Sequence, residues 1–93
     1  MKTFPLTVSS PDGDAFSGEA ICLSLRGTAG DLAVMAGHIP FVTSVVPCTV
    51  RITLPSEEEI TARVEGGILT VGQAGTVLLS GSFRRVEETE EYF

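Results

Sequence analysis

Tryptophan is missing from this 93-residue chain, and tyrosine, lysine, histidine and glutamine each occur once. One Tyr and five Phe offer few aromatic platforms for a small-ligand or sugar pocket. The single histidine, His38, would have to serve as base for any Ser or Cys nucleophile, and no neighbouring pattern supports that pairing. Ser80-Gly81-Ser82 is not a nucleophile elbow, and no Gly-x-x-x-x-Gly-Lys loop is present to cradle phosphates. Catalytic residues are therefore not expected, nor is a cofactor. Two cysteines do not make a disulfide framework. Cys22, His38 and Cys48 match no zinc spacing, so the thiols read as small apolar side chains. Glu57-Glu58-Glu59 lacks the Asp/Asn/Gly pattern of a calcium loop and reads as a solvated hairpin tip. No metal site is expected. Basic residues number six against twelve acids, a net charge of −6, which argues against direct nucleic-acid binding. No apolar run approaches the ~20 residues that cross a bilayer, so direct membrane insertion is not expected. The stretch from Met1 to Leu6 does not read as a signal peptide.

What is abundant is strand and turn chemistry. Val, Ile and Thr together supply 25 of 93 residues, and there are ten glycines. The length suits one domain, and 43% apolar residues suffice for one core. Four acids fall in the last seven residues, Glu87, Glu88, Glu90 and Glu91. The chain therefore divides into a nearly neutral domain, residues 1–86, and an acidic tail, residues 87–93.

Period-2 alternation recurs along the domain. Phe4, Leu6 and Val8 alternate with polar or small residues ahead of a Ser10-Pro11-Asp12-Gly13 reversal. Residues 15–20 read as a short strand interrupted at Gly18. Ile21, Leu23 and Leu25 give a clean alternation before a turn at residues 27–30. Residues 32–35 and 41–46 read as short strands flanking a rigid Gly37-His38-Ile39-Pro40 loop. Val50, Ile52 and Leu54, then Ile60, Ala62 and Val64, flank the charged tip. Gly66-Gly67 reads as a chain break. Leu69, Val71, Val77 and Leu79 are expected to face inward around a turn at residues 72–75. Residues 83–93 could turn helical, but their arginines come first and their glutamates last, which opposes the helix dipole. Half-buried strands every eight to ten residues predict an all-β fold, most economically a β-sandwich of about ten short strands.

The densest feature is Gly27-Thr28-Ala29-Gly30-Asp31-Leu32-Ala33-Val34-Met35-Ala36-Gly37-His38-Ile39-Pro40-Phe41-Val42-Thr43. Residue chemistry alone reads it as a tight crossover or as a rigid, partly apolar docking surface. The stretch resembles the epsilon subunit family of F-type ATP synthases, with its Gly-x-x-Gly-Glu-x-Gly-Ile/Val-x-x-Gly-His-x-Pro-Leu-Leu-Thr pattern. Residues 3–13, Phe16-Ser17-Gly18-Glu19 and Glu65-Gly66-Gly67-Ile68-Leu69-Thr70-Val71 resemble further family elements in the same order. The chain departs from the pattern at Asp31, Ala33, Ala36, Cys48 and Gly81-Ser82. Ala33 and Cys48 replace glycines, which questions any positive-φ requirement there.

The resemblance implies the family's N-terminal β-sandwich, which a C-terminal helical hairpin normally follows. It implies a non-catalytic rotor subunit that joins the gamma subunit to the c-ring of a proton- or sodium-driven ATP synthase. Such a subunit would sit at the cytoplasmic face of the bacterial plasma membrane and be a monomer when isolated. Carried over by position, Gly30 and Asp31 would meet the c-ring. His38, Pro40, Phe41, Val42 and Thr43 would meet gamma. Without the hairpin, neither ATP binding nor inhibition of hydrolysis is expected. The alternative is a free-standing sandwich that binds a small ligand or a sugar.

Overall fold

A computed structural model describes residues 2–86; the acidic segment 87–93 lies outside the described residues. Eight strands follow one another: β1 Phe4–Ser10, β2 Gly13–Ala20, β3 Cys22–Gly27, β4 Gly30–Val34, β5 Phe41–Thr53, β6 Glu59–Gly72, β7 Gly75–Ser80 and β8 Phe83–Arg85. They form one continuous sheet in the order β2-β1-β7-β6-β5-β3-β4, with β8 paired to β6. All pairs are antiparallel except β1 with β7.

Eight strands replace the ten expected because two pairs of short strands are single long ones. The apparent chain breaks are changes of facing. Along β5 the residues turned inward fall at odd positions up to Val45, then at Cys48, Val50 and Ile52. Along β6 they fall at Ala62 and Val64, then at Leu69 and Val71. Both shifts occur at the same place, where Val45 pairs Gly67 and Pro47 pairs Glu65. The register is the same on either side, so neither strand gains a residue on the other; the faces exchange where Val46 and Gly66 leave the ladder together, with Gly66 at positive φ. The long hairpin thus passes from one layer of the sandwich to the other. Gly66-Gly67 belongs to this bend, so it does not end a strand. A side chain at Gly67 would overlap the Leu79 carbonyl, and Gly66 has a φ of 107°. Only glycine tolerates that combination of approach and backbone angle.

The Ser80 hydroxyl clamps the bend. Its oxygen lies 2.7 Å from both the Gly66 and the Ser82 carbonyls, and it accepts the Ser82 N–H at 3.3 Å. Ser80 is buried, and this satisfied hydroxyl ties β6 to the β7–β8 turn. Residues 83–85, at the head of the stretch that could turn helical, are instead strand β8. Arg84 pairs Arg63, and the Val86 N–H bonds the Thr61 carbonyl at 2.8 Å. Phe83 packs against the core, and that burial outweighs helix propensity. β2 runs through Gly18, which pairs Leu6, so no interruption occurs there.

The core draws on both layers. Leu6, Val8, Leu23, Val34, Val50, Ile52, Val64, Leu69 and Leu78 are each less than 2% exposed. Burial of such side chains contributes about 1.5–3 kcal/mol apiece before chain entropy is set against it. Among the described residues no helix is long and apolar enough to cross a membrane.

Candidate functional site

The conspicuous stretch, residues 27–43, contributes to two separate places. Gly27 pairs Gly30 to close a two-residue turn on Thr28 and Ala29, with Gly30 at φ 121°. Asp31 follows at this tip, exposed, and accepts a hydrogen bond from Arg26 Nε at 2.8 Å. That bond, and the guanidinium charge behind it, hold the Asp31 carboxyl below its usual range. β4 then carries the chain about 13 Å before the loop begins, four residues at strand rise. Ala33 and Cys48 lie in ordinary strand conformation, since Glu57 alone among described non-glycine residues has positive φ.

At the far end of β4, Gly37 reverses the chain at φ 85°, and the His38 N–H bonds the Met35 carbonyl at 3.2 Å. The exposed His38 ring sits 5.0 Å from the Phe41 ring, centre to centre, and its Nδ1 lies 2.9 Å from the Ile39 carbonyl. These contacts fix the loop. Met35 and Ile39 remain exposed beside it. Pro40 is exposed, and it lines a groove with His38 and Gln73.

Residues 41–43 divide by alternation. Phe41 packs against the core, and Thr43 shares its inward side, opposite buried Leu69. Val42 points out and is 68% exposed. Val42 has company that sequence reasoning missed. It pairs Thr70, which pairs Val77; in the neighbouring row Ser44 pairs Ile68, which pairs Leu79. Val42, Ile68, Val77 and Leu79 therefore share one outer face across three strands, all of them exposed. Val77 and Leu79 were expected to face inward. The turn at Gly72–Gly75 instead sets Leu78 opposite Leu69, so Thr76, Leu78 and Ser80 take the buried positions. One residue of register exchanges the faces. The available signal was that neither parity of β7 is polar throughout.

Past the bend, the other layer is charged. Arg51 and Arg63 line a groove of about 730 Å³ together with Arg26, Asp31, Leu32 and Cys48. Cys48 is buried, and its thiol donates weakly to the Arg26 carbonyl at 3.9 Å. Among the described residues no three His, Cys, Asp or Glu side chains come together to hold a metal ion.

Comparison with known proteins agrees with this architecture. The family described as ATP synthase, Delta/Epsilon chain, beta-sandwich domain, matches residues 3–86. An ATP synthase epsilon chain from Bordetella avium is 35% identical over 91 residues, covering 98% of this chain and 64% of that one. Another from Dichelobacter nodosus is 32% identical over 88 residues, covering 95% and 62%. The chain thus spans a little under two thirds of the length of these relatives. In solved structures, a chain of the Euglena gracilis mitochondrial ATP synthase (OSCP/F1/c-ring, rotational state 1) superposes with a TM-score of 0.84 at 16% identity, over 95% of this chain and 58% of that one. A chain of the central stalk and c-ring assembly of the Tetrahymena thermophila mitochondrial enzyme gives 0.73 at 11% identity, over 88% and 66%. At such identities the superpositions establish the fold.

Proposed function

The chain belongs to the ATP synthase delta/epsilon family through its β-sandwich domain, and from that membership we infer that it is a non-catalytic central-stalk subunit coupling gamma to the c-ring. The observation that carries the reading is the exposed apolar face of Val42, Ile68, Val77 and Leu79, adjoining the loop that holds His38 and Pro40. A rotor coupling needs two contacts held rigidly apart. The chain offers an apolar face with a fixed loop for gamma and, at the other end of β4, a charged tip at Gly30 and Asp31 for the polar loops of the ring. The interlocked strands between them transmit load without a hinge, because each is tied by ladder hydrogen bonds and a shared core. Phe41 and Thr43 serve the gamma contact from within, by setting the course of β5 under Val42. In this role the chain makes and breaks no bonds and needs no cofactor. It stands with the complex at the cytoplasmic face of a bacterial plasma membrane without entering the bilayer.

Cysteine cross-linking in the assembled complex tests the reading, in a background with Cys22→Ser and Cys48→Ala. Ile68→Cys should link to gamma and Asp31→Cys to the ring. The exchanged pattern, or no link from either, would overturn it.

A further inference from the structure

The apolar face has the outline of one helix. Its outward residues form two rows across β5, β6 and β7: Val42, Thr70 and Val77, then Ser44, Ile68 and Leu79. Three strands span two spacings, about 10 Å, which is the width of an α-helix with its side chains. Pro40 stands two residues ahead of Val42 and, with Ile39, Gly72 and Gln73, lines the groove that prolongs the face. The run from Ser44 to Pro40 is about 13 Å along the strand, or about nine residues of helix. At the other end, Pro11, Gly67, Ile68 and Leu79 line a hollow of about 410 Å³, a seat for a large apolar side chain.

Beyond β7 the same outer side changes character. Thr7 and Ser9 of β1 stand beside Val77 and Leu79, and Ser17, Asp14 and Glu19 of β2 follow at the border. A second apolar sheet laid here would have to cover those polar strands, whereas one helix along β6 covers the apolar rows and stops short of them. Asp14 accepts a hydrogen bond from Ser9 Oγ and Glu19 one from Thr3 Oγ1, both at 2.7 Å. These bonds steady the two carboxylates and leave each an oxygen for a partner. No outward residue of these strands is basic. All five arginines lie on the other layer, on β3, β8 and the far halves of β5 and β6. We propose that the segment of gamma seated on this face is an amphipathic helix lying along β6. Its apolar residues at i, i+3, i+4 and i+7 meet the two rows, and lysines or arginines line the flank that faces Asp14 and Glu19. The proposal rests on the coupling reading and adds the form and charge of what binds. Opposite charges across such a border orient the encounter and raise its rate more than its affinity.

Photo-cross-linking in the assembled complex tests the helix. A benzophenone maleimide is attached at Val42→Cys, Ile68→Cys or Leu79→Cys, each in the Cys22→Ser, Cys48→Ala background, and the captured gamma residues are identified by peptide mass spectrometry. They should recur three or four apart within one helix of gamma. Capture at every second residue, or in segments that share no helix, would overturn the proposal and leave the coupling reading in place. No capture of gamma at all would overturn both. Stopped-flow mixing of purified gamma with the whole 93-residue chain tests the border. Asp14→Asn combined with Glu19→Gln should slow association about threefold at about 0.05 M salt. At about 1 M salt, where screening acts within ~3 Å, the rates of parent and variant should agree. An equal or faster rate for the variant at the lower salt would overturn the basic flank and the proposal with it.

Discussion

The two halves of the β5–β6 hairpin obey the same alternation and present opposite chemistries. Before the bend the outward residues are Val42, Ser44, Ile68 and Thr70, uncharged throughout; after it they are Thr49, Arg51, Glu59, Thr61, Arg63 and Glu65, half or more of them charged. Inward residues are alike on both sides, Val45 and Leu69 against Val50 and Val64. The difference teaches that core positions are chosen for burial alone, whereas each outer face is free to be chosen for what it meets. What separates the faces is the exchange of parity at Val45–Pro47 and Gly66-Gly67. The contrast between a docking face and a solvated face is therefore built at the bend.

The strongest way to break the contrast is to fill the bend. Gly67→Val should destabilise the fold by about 3 kcal/mol or more, since the side chain would overlap the Leu79 carbonyl. Urea unfolding with an unchanged slope would measure it. Second in size is Phe41→Asp, which buries a carboxylate against the core and should cost about 2–4 kcal/mol. Loss of gamma binding in that variant should track loss of folded protein on thermal melts, unlike a change confined to the outer face. The smallest effect belongs to the tip. Asp31 is held ionised by Arg26, so its contribution is present above the ordinary carboxylate range and fades as pH falls through its lowered pKa. Asp31→Asn should remove that acid-side dependence without disturbing the fold, as two-dimensional NMR titration would show.

Much of the fold was legible because burial repeats with period two: Phe4, Leu6, Val8, Leu23, Leu25, Val50, Ile52, Ala62 and Val64 all lie in the core as their alternation predicts. The bend was not, because a glycine pair inside a continuous strand and a glycine pair ending one are written with the same letters. Nor was β7. In Thr76-Val77-Leu78-Leu79-Ser80 apolar residues occupy both parities, and the ladder to β6 decides which face is buried. That ambiguity hid the apolar surface, since its exposed members Val77 and Leu79 pass for core residues. The positions 30, 31, 38, 40 and 42 were found through the motif, and the structure places all of them at the surface. Ile68 became legible only once Ser44 and Leu79 were seen on either side of it.

The central claim is that the apolar face, with Val42 at its border, is the gamma-docking surface. The most direct measurement is calorimetric binding of purified gamma to the parent chain and to the Ile68→Lys, Leu79→Glu double variant, whose opposite charges face each other in the ladder, with thermal melts of both. Both sites are exposed, so the melts should nearly coincide. Removal of two apolar contacts from the patch should weaken binding at least about tenfold, or ~1.4 kcal/mol. Affinity within about twofold of the parent, in a variant that melts normally, would contradict the account.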